Sequence, residues 1–278
     1  MQTELRLRIV SGIVLAAVVL AATWAGDTVF RAVAVVIGLL VFFEWSTICG
    51  LAIKDRAGNS IAWLALILVS FFVMTLQGAG ALLVIALAAA YGLAERPLGR
   101  ETGGWLGWGV VYAGLSSVSL SAIRGDDLTG LMAMIFVFAV VWGTDILAYF
   151  VGRAVGGPKL APRISPGKTW SGAIGGAVSA VILGTAVYMA YFTLDTVWIP
   201  LIALVLSVFS QIGDLFESFV KRRFGVKDSG NLIPGHGGVM DRVDGLVFAC
   251  FAAFLIGIGA ALVSGRSWGS AGGFVLGF

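Results

Sequence analysis

Residues 129–151 read TGLMAMIFVFAVVWGTDILAYFV, an apolar run that contains a single charged residue, Asp145. A helix crosses the hydrocarbon core of a bilayer with about 20 mostly apolar residues. The run therefore predicts a membrane-spanning helix. A charged side chain that faces lipid costs several kcal/mol, so we expect Asp145 to line a polar path or to pair with a cation.

The composition extends this interpretation to the whole chain. Of its 278 residues, 59% are hydrophobic and only 12% are charged, and the mean hydropathy is +1.00. An ordinary soluble domain carries about 25% charged residues. These values exclude a soluble enzyme, a disordered chain and a secreted disulfide scaffold, and they indicate a polytopic integral membrane protein.

The predicted fold is all-α, with about nine membrane-spanning helices. The spans are residues 9–25, 28–49, 61–77, 79–94, 104–123, 129–151, 170–192, 196–217 and 245–263. The N-terminus resembles a signal sequence, but its apolar run continues to Ala25 without a clean small-x-small cleavage site, so we expect a retained first helix. The tail Gly265–Phe278 is too short and too broken to span.

The basic residues predict the orientation, because cytoplasmic loops carry an excess of Lys and Arg. With the N-terminus inside and the C-terminus outside, only Arg31, Arg124 and Arg266 of the 18 basic residues fall outside. The others lie in the predicted inside segments: Arg6, Arg8, Lys54, Arg56, Arg96, Arg100, Arg153, Lys159, Arg163, Lys168, Lys221, Arg222, Arg223, Lys227 and Arg242.

Polar residues divide the chain by role. Residues 1–140 are predicted to be packing helices, and residues 141–278 a catalytic region with cytoplasmic loops at 152–169 and 218–244. Cys49 and Cys250 sit in apolar runs and are expected to be buried core residues rather than disulfide partners. His236 is the only histidine, which excludes a multi-histidine metal site.

The eighth span carries a polar stripe formed by Ser207, Gln211, Asp214, Ser218 and Lys221. Their spacings place them within an arc of about 80° on a helix. Such a stripe must face protein or water. A helix–helix hydrogen-bond seam is one interpretation; the acid and the basic helix end favour a site open to the cytoplasm.

The loop 218–244 combines five cations, three carboxylates and the histidine. Gly235, Gly237 and Gly238 allow the backbone to approach a ligand closely. Asp241 and Asp244 are expected on one face of the next helix start, where the dipole favours carboxylates and a divalent cation also fits. A solvated loop with capping acids is the alternative. Mixed acids and bases fit a metal–polyphosphate complex better than a bare ion.

The loop 152–169 is basic and rich in Gly and Pro, like a phosphate clamp before a helix N-terminus. It is not a Walker A loop, because Pro162 stands where that motif needs Gly and no strand is expected before it. Lipid-headgroup anchoring is the alternative for Arg153 and Lys159. For Glu44, which lies alone near the inner end of span two, a structural pairing and a functional role both remain open.

The run 218–244 resembles the signature of the phosphatidate cytidylyltransferases, also called CDP-diacylglycerol synthases. Further resemblances are Thr144-Asp145, Tyr149 to Arg153, and Ser165-Pro-x-Lys168-Thr169; Gly167 and Ser171 depart from a Lys and a Glu that the family often has. The signature is met by Ser218, Lys221, Arg222, Lys227, Asp228, Gly230, Ile233, Pro234, His236, Gly237, Gly238, Asp241, Arg242 and Asp244.

The resemblance implies an enzyme that makes CDP-diacylglycerol and pyrophosphate from CTP and phosphatidate, with a funnel open to the cytoplasm. It also implies a homodimer in the bilayer, in the inner membrane if the cell is bacterial, and no nucleic-acid partner. The implied cofactor is Mg²⁺, with or without a second divalent or monovalent cation.

The site residues follow from the matched motif positions. Asp214, Asp241 and Asp244 are assigned to metal. The catalytic group is Lys227, Asp228, His236, Asp241, Arg242 and Asp244. The substrate-binding group is Asp145, Ser165, Lys168, Thr169, Ser218, Lys221, Arg222, Gly237 and Gly238.

Two other functions use similar parts. A CTP-dependent polyprenol or lipid kinase would transfer the γ-phosphate. A membrane transporter would also carry intramembrane acids, but its site is expected at the midplane rather than at one membrane face.

Overall fold

A computed structural model describes residues 2–94, 102–194, 197–265 and 270–277. The elements are α1 (Gln2–Ala25), α2 (Asp27–Cys49), α3 (Leu51–Lys54), α4 (Arg56–Met74), α5 (Gly78–Ala94), α6 (Gly103–Arg124), α7 (Leu128–Val155), β1 (Lys159–Ala161), β2 (Ser165–Thr169), α8 (Trp170–Met189), α9 (Trp198–Arg223), α10 (Met240–Ser264) and α11 (Ala271–Val275).

A long helix lies at each predicted span, and the all-α polytopic class is confirmed. Within the described residues, seven helices are long and apolar enough to cross a membrane: α2, α4, α6, α7, α8, α9 and α10. The apolar parts of α1 (Val10–Ala25) and α5 (Gly78–Ala94) are shorter. The exact number of spans and the orientation stay predictions, and Arg96, Arg100 and Arg266 lie outside the described residues.

Several helices extend beyond the predicted membrane spans, among them the two that flank the signature segment. α9 continues to Arg223 rather than ending near residue 217, and α10 begins at Met240 rather than at residue 245. Hydropathy marks the part of a helix that lies in hydrocarbon, whereas the backbone hydrogen bonds continue into the polar ends. The loop predicted at 218–244 is therefore shorter, and it runs from residue 224 to residue 239.

The basic loop 152–169 contains an antiparallel hairpin, which the sequence analysis did not predict. Strands β1 and β2 pair Lys159 with Thr169 and Ala161 with Ser165. The expectation that no strand precedes the Lys168 segment is wrong, because β1 does. Prolines at 158, 162 and 166 concealed the strands, since proline is confined to strand ends and edges.

The chain forms two compact units. Unit 1 combines Met1–Ser121 with Arg223–Arg242, and unit 2 combines Ala122–Arg222 with Val243–Phe278. The loop after α9 thus folds with the N-terminal helices. The division by role at residue 140 stays a prediction.

The core of unit 1 is aromatic. Trp45 is fully buried, its indole N–H donates to the carbonyl oxygen of Trp105 at 2.8 Å, and its ring lies 5.7 Å from that of Tyr112. Cys49 is buried on the same helix, and Cys250 is buried in unit 2, as predicted. This packing gives α2 a fixed place in unit 1.

In unit 2, α8 packs closely on α7 through small residues. A Cβ atom added at Gly172 would lie 2.7 Å from the carbonyl oxygen of Ala148, and one added at Gly176 would lie 2.8 Å from that of Thr144. These glycines therefore serve helix packing. The close approach holds the start of α8 beside the polar part of α7.

Candidate active site

Unit 2 contains a cavity of about 610 Å³ between α7, the hairpin, α8 and α9. This volume lies within the range of small-molecule sites, about 300–1,000 Å³. Its polar lining includes Asp145, Arg153, Lys168, Thr169, Gln211 and Asp214. Three predicted substrate-binding residues (Asp145, Lys168 and Thr169) and one predicted metal ligand (Asp214) are thus brought together.

Lys168 and Asp214 form an ion pair in this cavity, where the ammonium group donates to Oδ2 of the carboxylate. Asp145 on α7 and Asp244 on α10 each interact electrostatically with both partners. Asp145 thus lines a polar cavity, one of the two environments expected for it, whereas the ion pair of Lys168 is with Asp214. The cavity contains two carboxylates and the ammonium group of Lys168.

Local hydrogen bonds position Lys168 at the start of α8. Thr169 is the N-cap residue, and its hydroxyl oxygen accepts from the backbone N–H of Gly172 at 3.1 Å. The backbone N–H of Trp170 donates to the carbonyl oxygen of Pro158 at 3.0 Å. The Ser171 hydroxyl donates to the carbonyl oxygen of Gly156. These bonds attach both ends of the hairpin to the helix, so the position of Lys168 is set by the backbone.

The polar stripe of α9 faces protein, as predicted. The Ser207 hydroxyl lies 2.7 Å from that of Thr144 on α7, and the Gln211 amide donates to the carbonyl oxygen of Ala173 on α8 at 3.3 Å. One part of the stripe is therefore the hydrogen-bond seam that the sequence left open as an alternative. Asp214, further along, contributes to the cavity.

At the end of α9, one of the predicted substrate-binding cations pairs with an acid of the same helix. Lys221 donates to the Glu217 carboxylate at 2.6 Å, and only 12% of the Lys221 side chain and 2% of that of Glu217 are exposed. Ser218 is half-buried and Arg222 is exposed. Sequence reasoning missed Glu217, although its i,i+4 spacing to Lys221 is a recognisable signal. The substrate-binding role of these residues stays a prediction.

Unit 1 contains a second polar cavity, of about 590 Å³. It is formed by residues 224–242, the loop after α9 together with the first residues of α10, which we call the signature loop. It is lined by Lys227, Asp228, His236, Gly237 and Arg242, all predicted site residues. Lys227, Asp228 and Arg242 are exposed. The loop therefore presents two cations and the histidine to one space.

Asp241 holds this loop together. Its Oδ2 accepts from the backbone N–H groups of Ser229 and Gly238, each at 2.9 Å, and lies 2.8 Å from the Ser229 hydroxyl oxygen. A carboxylate oxygen with two backbone donors is well satisfied by the protein itself. Asp244, three residues later, bonds the N–H of Gly245 instead. The two acids that share the first turn of α10 thus have different partners.

His236 is oriented by the first helix, a contact that sequence reasoning missed. The Ser11 hydroxyl donates to the carbonyl oxygen of Pro234 at 3.1 Å and lies 2.8 Å from Nδ1 of His236. Ser11 thus contacts both the backbone of the loop and its histidine. The sequence contains one signal of this contact, since Ser11 is the lone serine in the apolar run of α1.

The donor chemistry of unit 2 fits Mg²⁺. Among the described residues, no group of three or more His, Cys, Asp or Glu side chains converges to hold a metal ion. Mg²⁺ commonly uses only one or two carboxylates and completes its shell with waters and phosphate oxygens. Asp214 and Asp244 are suited to that arrangement. The assignment of Asp241 to the same ion stays a prediction.

Comparison with known proteins agrees with the signature. Residues 6–258 match the model of the Cytidylyltransferase family. The chain is 47% identical over 256 residues to a phosphatidate cytidylyltransferase of Brucella abortus, covering 92% of this chain and 94% of the relative. It is 33% identical over 265 residues to the Bacillus subtilis protein of the same name, covering 92% and 98%.

Proposed function

This chain belongs to the cytidylyltransferase family, and we propose that it transfers the cytidylyl group of CTP to phosphatidate, giving CDP-diacylglycerol and pyrophosphate. One substrate has acyl chains and stays in the bilayer, whereas the other is a soluble and highly charged nucleotide. A polar cavity among membrane-spanning helices suits both. The relatives named above act on phosphatidate by their names, which supports the same substrate here.

The ion pair between Lys168 and Asp214 is the observation that carries this proposal. A nucleoside triphosphate with a bound cation offers one partner to Lys168 and another to Asp214. Its phosphate oxygens replace the carboxylate at Lys168, and its cation replaces the ammonium group at Asp214. The same pair then recognises the anion and the metal of one ligand.

The proposed step is an in-line displacement. A phosphate oxygen of phosphatidate bonds to the α-phosphorus of CTP, and the bond from that phosphorus to the bridging oxygen breaks, so pyrophosphate leaves with the electron pair. The attacking phosphate is largely deprotonated near neutral pH, and no general base is needed. Catalysis is then positioning plus neutralisation of charge, to which Lys168 contributes in the unit 2 cavity.

Asp214 and Asp244 are the residues proposed to hold Mg²⁺, which would neutralise charge on the phosphate oxygens as it does in other phosphoryl transfers. Lys168 orients the triphosphate from the hairpin. Lys227 and Arg242, which line the cavity of unit 1, are cations suited to a phosphate group there.

The proposal includes a site that faces the cytoplasm and a homodimer in the bilayer. The basic hairpin and the signature loop lie in segments that the positive-inside rule assigns to the cytoplasm. CTP is supplied from that side. The homodimer follows from the family resemblance.

A label-transfer assay tests the reaction. Purified protein in detergent is incubated with phosphatidate, Mg²⁺ and CTP labelled at either the α- or the γ-phosphate. We expect α-label in lipid and release of pyrophosphate. Label from the γ-phosphate alone would identify a lipid kinase instead. No transfer by folded protein would contradict the proposal and favour a binding or transport role.

A further inference from the structure

Glu44 on α2 is a buried acid with 1% of its surface exposed, and its partners lie far away in the sequence. Oε1 accepts from the backbone N–H of Val239 at 2.8 Å. Oε2 accepts from the backbone N–H of Met240 at 2.7 Å and from the Ser229 hydroxyl at 2.9 Å. All three donors belong to the signature loop and the start of α10, so one side chain of the N-terminal half fixes both ends of the loop.

Two glycines of the loop make room for this carboxylate. A Cβ atom added at Gly238 would lie 2.5 Å from both oxygens of Glu44 and 2.0 Å from the Ser229 hydroxyl. One added at Gly230 would lie 2.9 Å from Oε1. The glycines at these positions therefore allow a close approach to a side chain of the same protein.

Glu44 is connected to Asp241 through Ser229. The Ser229 hydroxyl contacts both carboxylates, and the backbone N–H of Gly238 binds Asp241 at 2.9 Å. The N–H groups before and at the start of α10 are thus occupied by two acids of the protein. A phosphate that binds in this loop cannot use these N–H groups, whereas the side chains of Lys227, His236 and Arg242 line the cavity.

We propose that Glu44 is a positioning residue for the signature loop, which it holds in the conformation that presents His236 and Arg242 to a phosphate group in the cavity of unit 1. The inference rests on the proposed function for the identity of that ligand. Glu44 does not contact the ligand itself. It acts through the backbone of residues 239 and 240 and through the Ser229–Asp241 contact.

The substitution Glu44→Gln separates this role from simple burial. The side chain keeps its shape, but the amide nitrogen cannot accept a hydrogen bond. Because the carboxylate uses both oxygens, at least one backbone N–H loses its acceptor and faces a donor. The matched control is Asp27→Asn on the same helix, because Asp27 is exposed, bonds Arg31 and lies at the opposite end of α2.

Three measurements are made on both variants in the full-length protein: amide hydrogen exchange of peptides from 229–241, the thermal midpoint, and kcat/KM for CTP. For Glu44→Gln we expect exchange in the loop to rise at least about tenfold and kcat/KM to fall about ten- to hundredfold. Exchange in α7 and α8 should not change. Asp27→Asn should match the wild type in loop exchange and in kcat/KM for CTP.

Ser229→Ala is the second variant, in case Glu44→Gln does not fold. It removes the hydroxyl between the two carboxylates and keeps the backbone bonds, so we expect smaller changes in the same direction. Wild-type loop exchange and turnover in either folded variant would overturn the proposal. A uniform rise in exchange across the whole protein would overturn it too, since it would indicate a general structural role.

The proposed function can fail separately. If the wild-type protein does not transfer the cytidylyl group, the reaction assignment is wrong, while loop exchange still reports whether Glu44 holds the loop. If the wild type is active and Glu44→Gln is equally active, only the inference about Glu44 is wrong.

Discussion

The acids of the two polar clusters differ in what they bind. In unit 1, Glu44 and Asp241 accept hydrogen bonds from backbone N–H groups and from Ser229. In unit 2, Asp214 pairs with the ammonium group of Lys168, and Asp145 lines the same cavity. An acid that binds the backbone holds the chain in place, whereas an acid paired with an exchangeable side chain is available to a ligand.

The comparison also separates two meanings of a sequence motif. Asp241 and Asp244 stand three residues apart in one motif and were both assigned to metal. Their partners differ, since Asp241 binds the loop and Asp244 interacts with Asp214, Asp145 and Lys168. A motif can therefore combine residues that build a site with residues that use it.

The largest effect is expected for Lys168→Met. The substitution removes the cation of the unit 2 cavity and one donor to the phosphate oxygens, so kcat should fall at least about 10²- to 10³-fold. The control is Lys54→Met, because Lys54 is an exposed lysine in unit 1. Steady-state rates of lipid labelling measure both. A Lys168→Met enzyme with wild-type kcat would remove the basis of the unit 2 site.

Asp214→Ala and Asp241→Ala should both reduce turnover but should differ in stability. Asp241→Ala leaves buried donors of Ser229 and Gly238 without an acceptor, which costs about 1–3 kcal/mol per group. Asp214→Ala removes one of three neighbouring carboxylates, so its thermal midpoint should stay near that of the wild type. Thermal unfolding in detergent measures the difference. Equal thermal midpoints for the two variants would contradict the view that Asp241 stabilises the fold whereas Asp214 is available to a ligand.

Gly238→Ala should disturb the loop without changing any charge. The added methyl group would overlap Glu44 and Ser229. Overpacking of this kind costs about 1–3 kcal/mol, so kcat/KM for CTP should fall about tenfold. Gly78→Ala is the matched control, because nothing lies within 4 Å of a Cβ atom there. A fully active Gly238→Ala variant would show that the loop tolerates displacement from Glu44.

The smallest effect is expected for Ser11→Ala. It removes the hydrogen bonds from α1 to His236 and Pro234. A lost neutral hydrogen bond is worth about 1 kcal/mol, which corresponds to about a fivefold lower kcat/KM. Ser60→Ala is the control, since that hydroxyl bonds only the carbonyl oxygen of Arg56 in its own exposed turn. Identical kinetics for the two variants would show that His236 does not need α1.

The positions of the helices could be predicted because each apolar run had to satisfy its backbone in hydrocarbon. The helix ends could not, since α9 and α10 extend into polar segments where hydropathy gives no signal. The hairpin was hidden by its prolines. Within the site, the spacing of Ser207, Gln211 and Asp214 was sufficient to predict a shared protein-facing stripe.

The roles of the loop acids depended on contacts that the sequence does not contain. Glu44 and Ser229 are 185 residues apart, and no local pattern connects them. The glycine-rich run correctly predicted close approach at Gly238, but the group that approaches in the structure is Glu44. The sequence therefore located the site, and the tertiary contacts separated its residues by role.

The central claim is that CTP binds in the unit 2 cavity through Lys168 and Asp214. Gly167 lines that cavity, is exposed and has open space where a side chain would begin, and both natural cysteines are buried. The thiol in a Gly167→Cys variant can therefore be labelled selectively with a water-soluble maleimide. We predict that CTP with Mg²⁺ slows this labelling at least about tenfold, and that adding Lys168→Met abolishes the protection. Labelling at the same rate with and without CTP, in a variant that still turns over, would contradict the account.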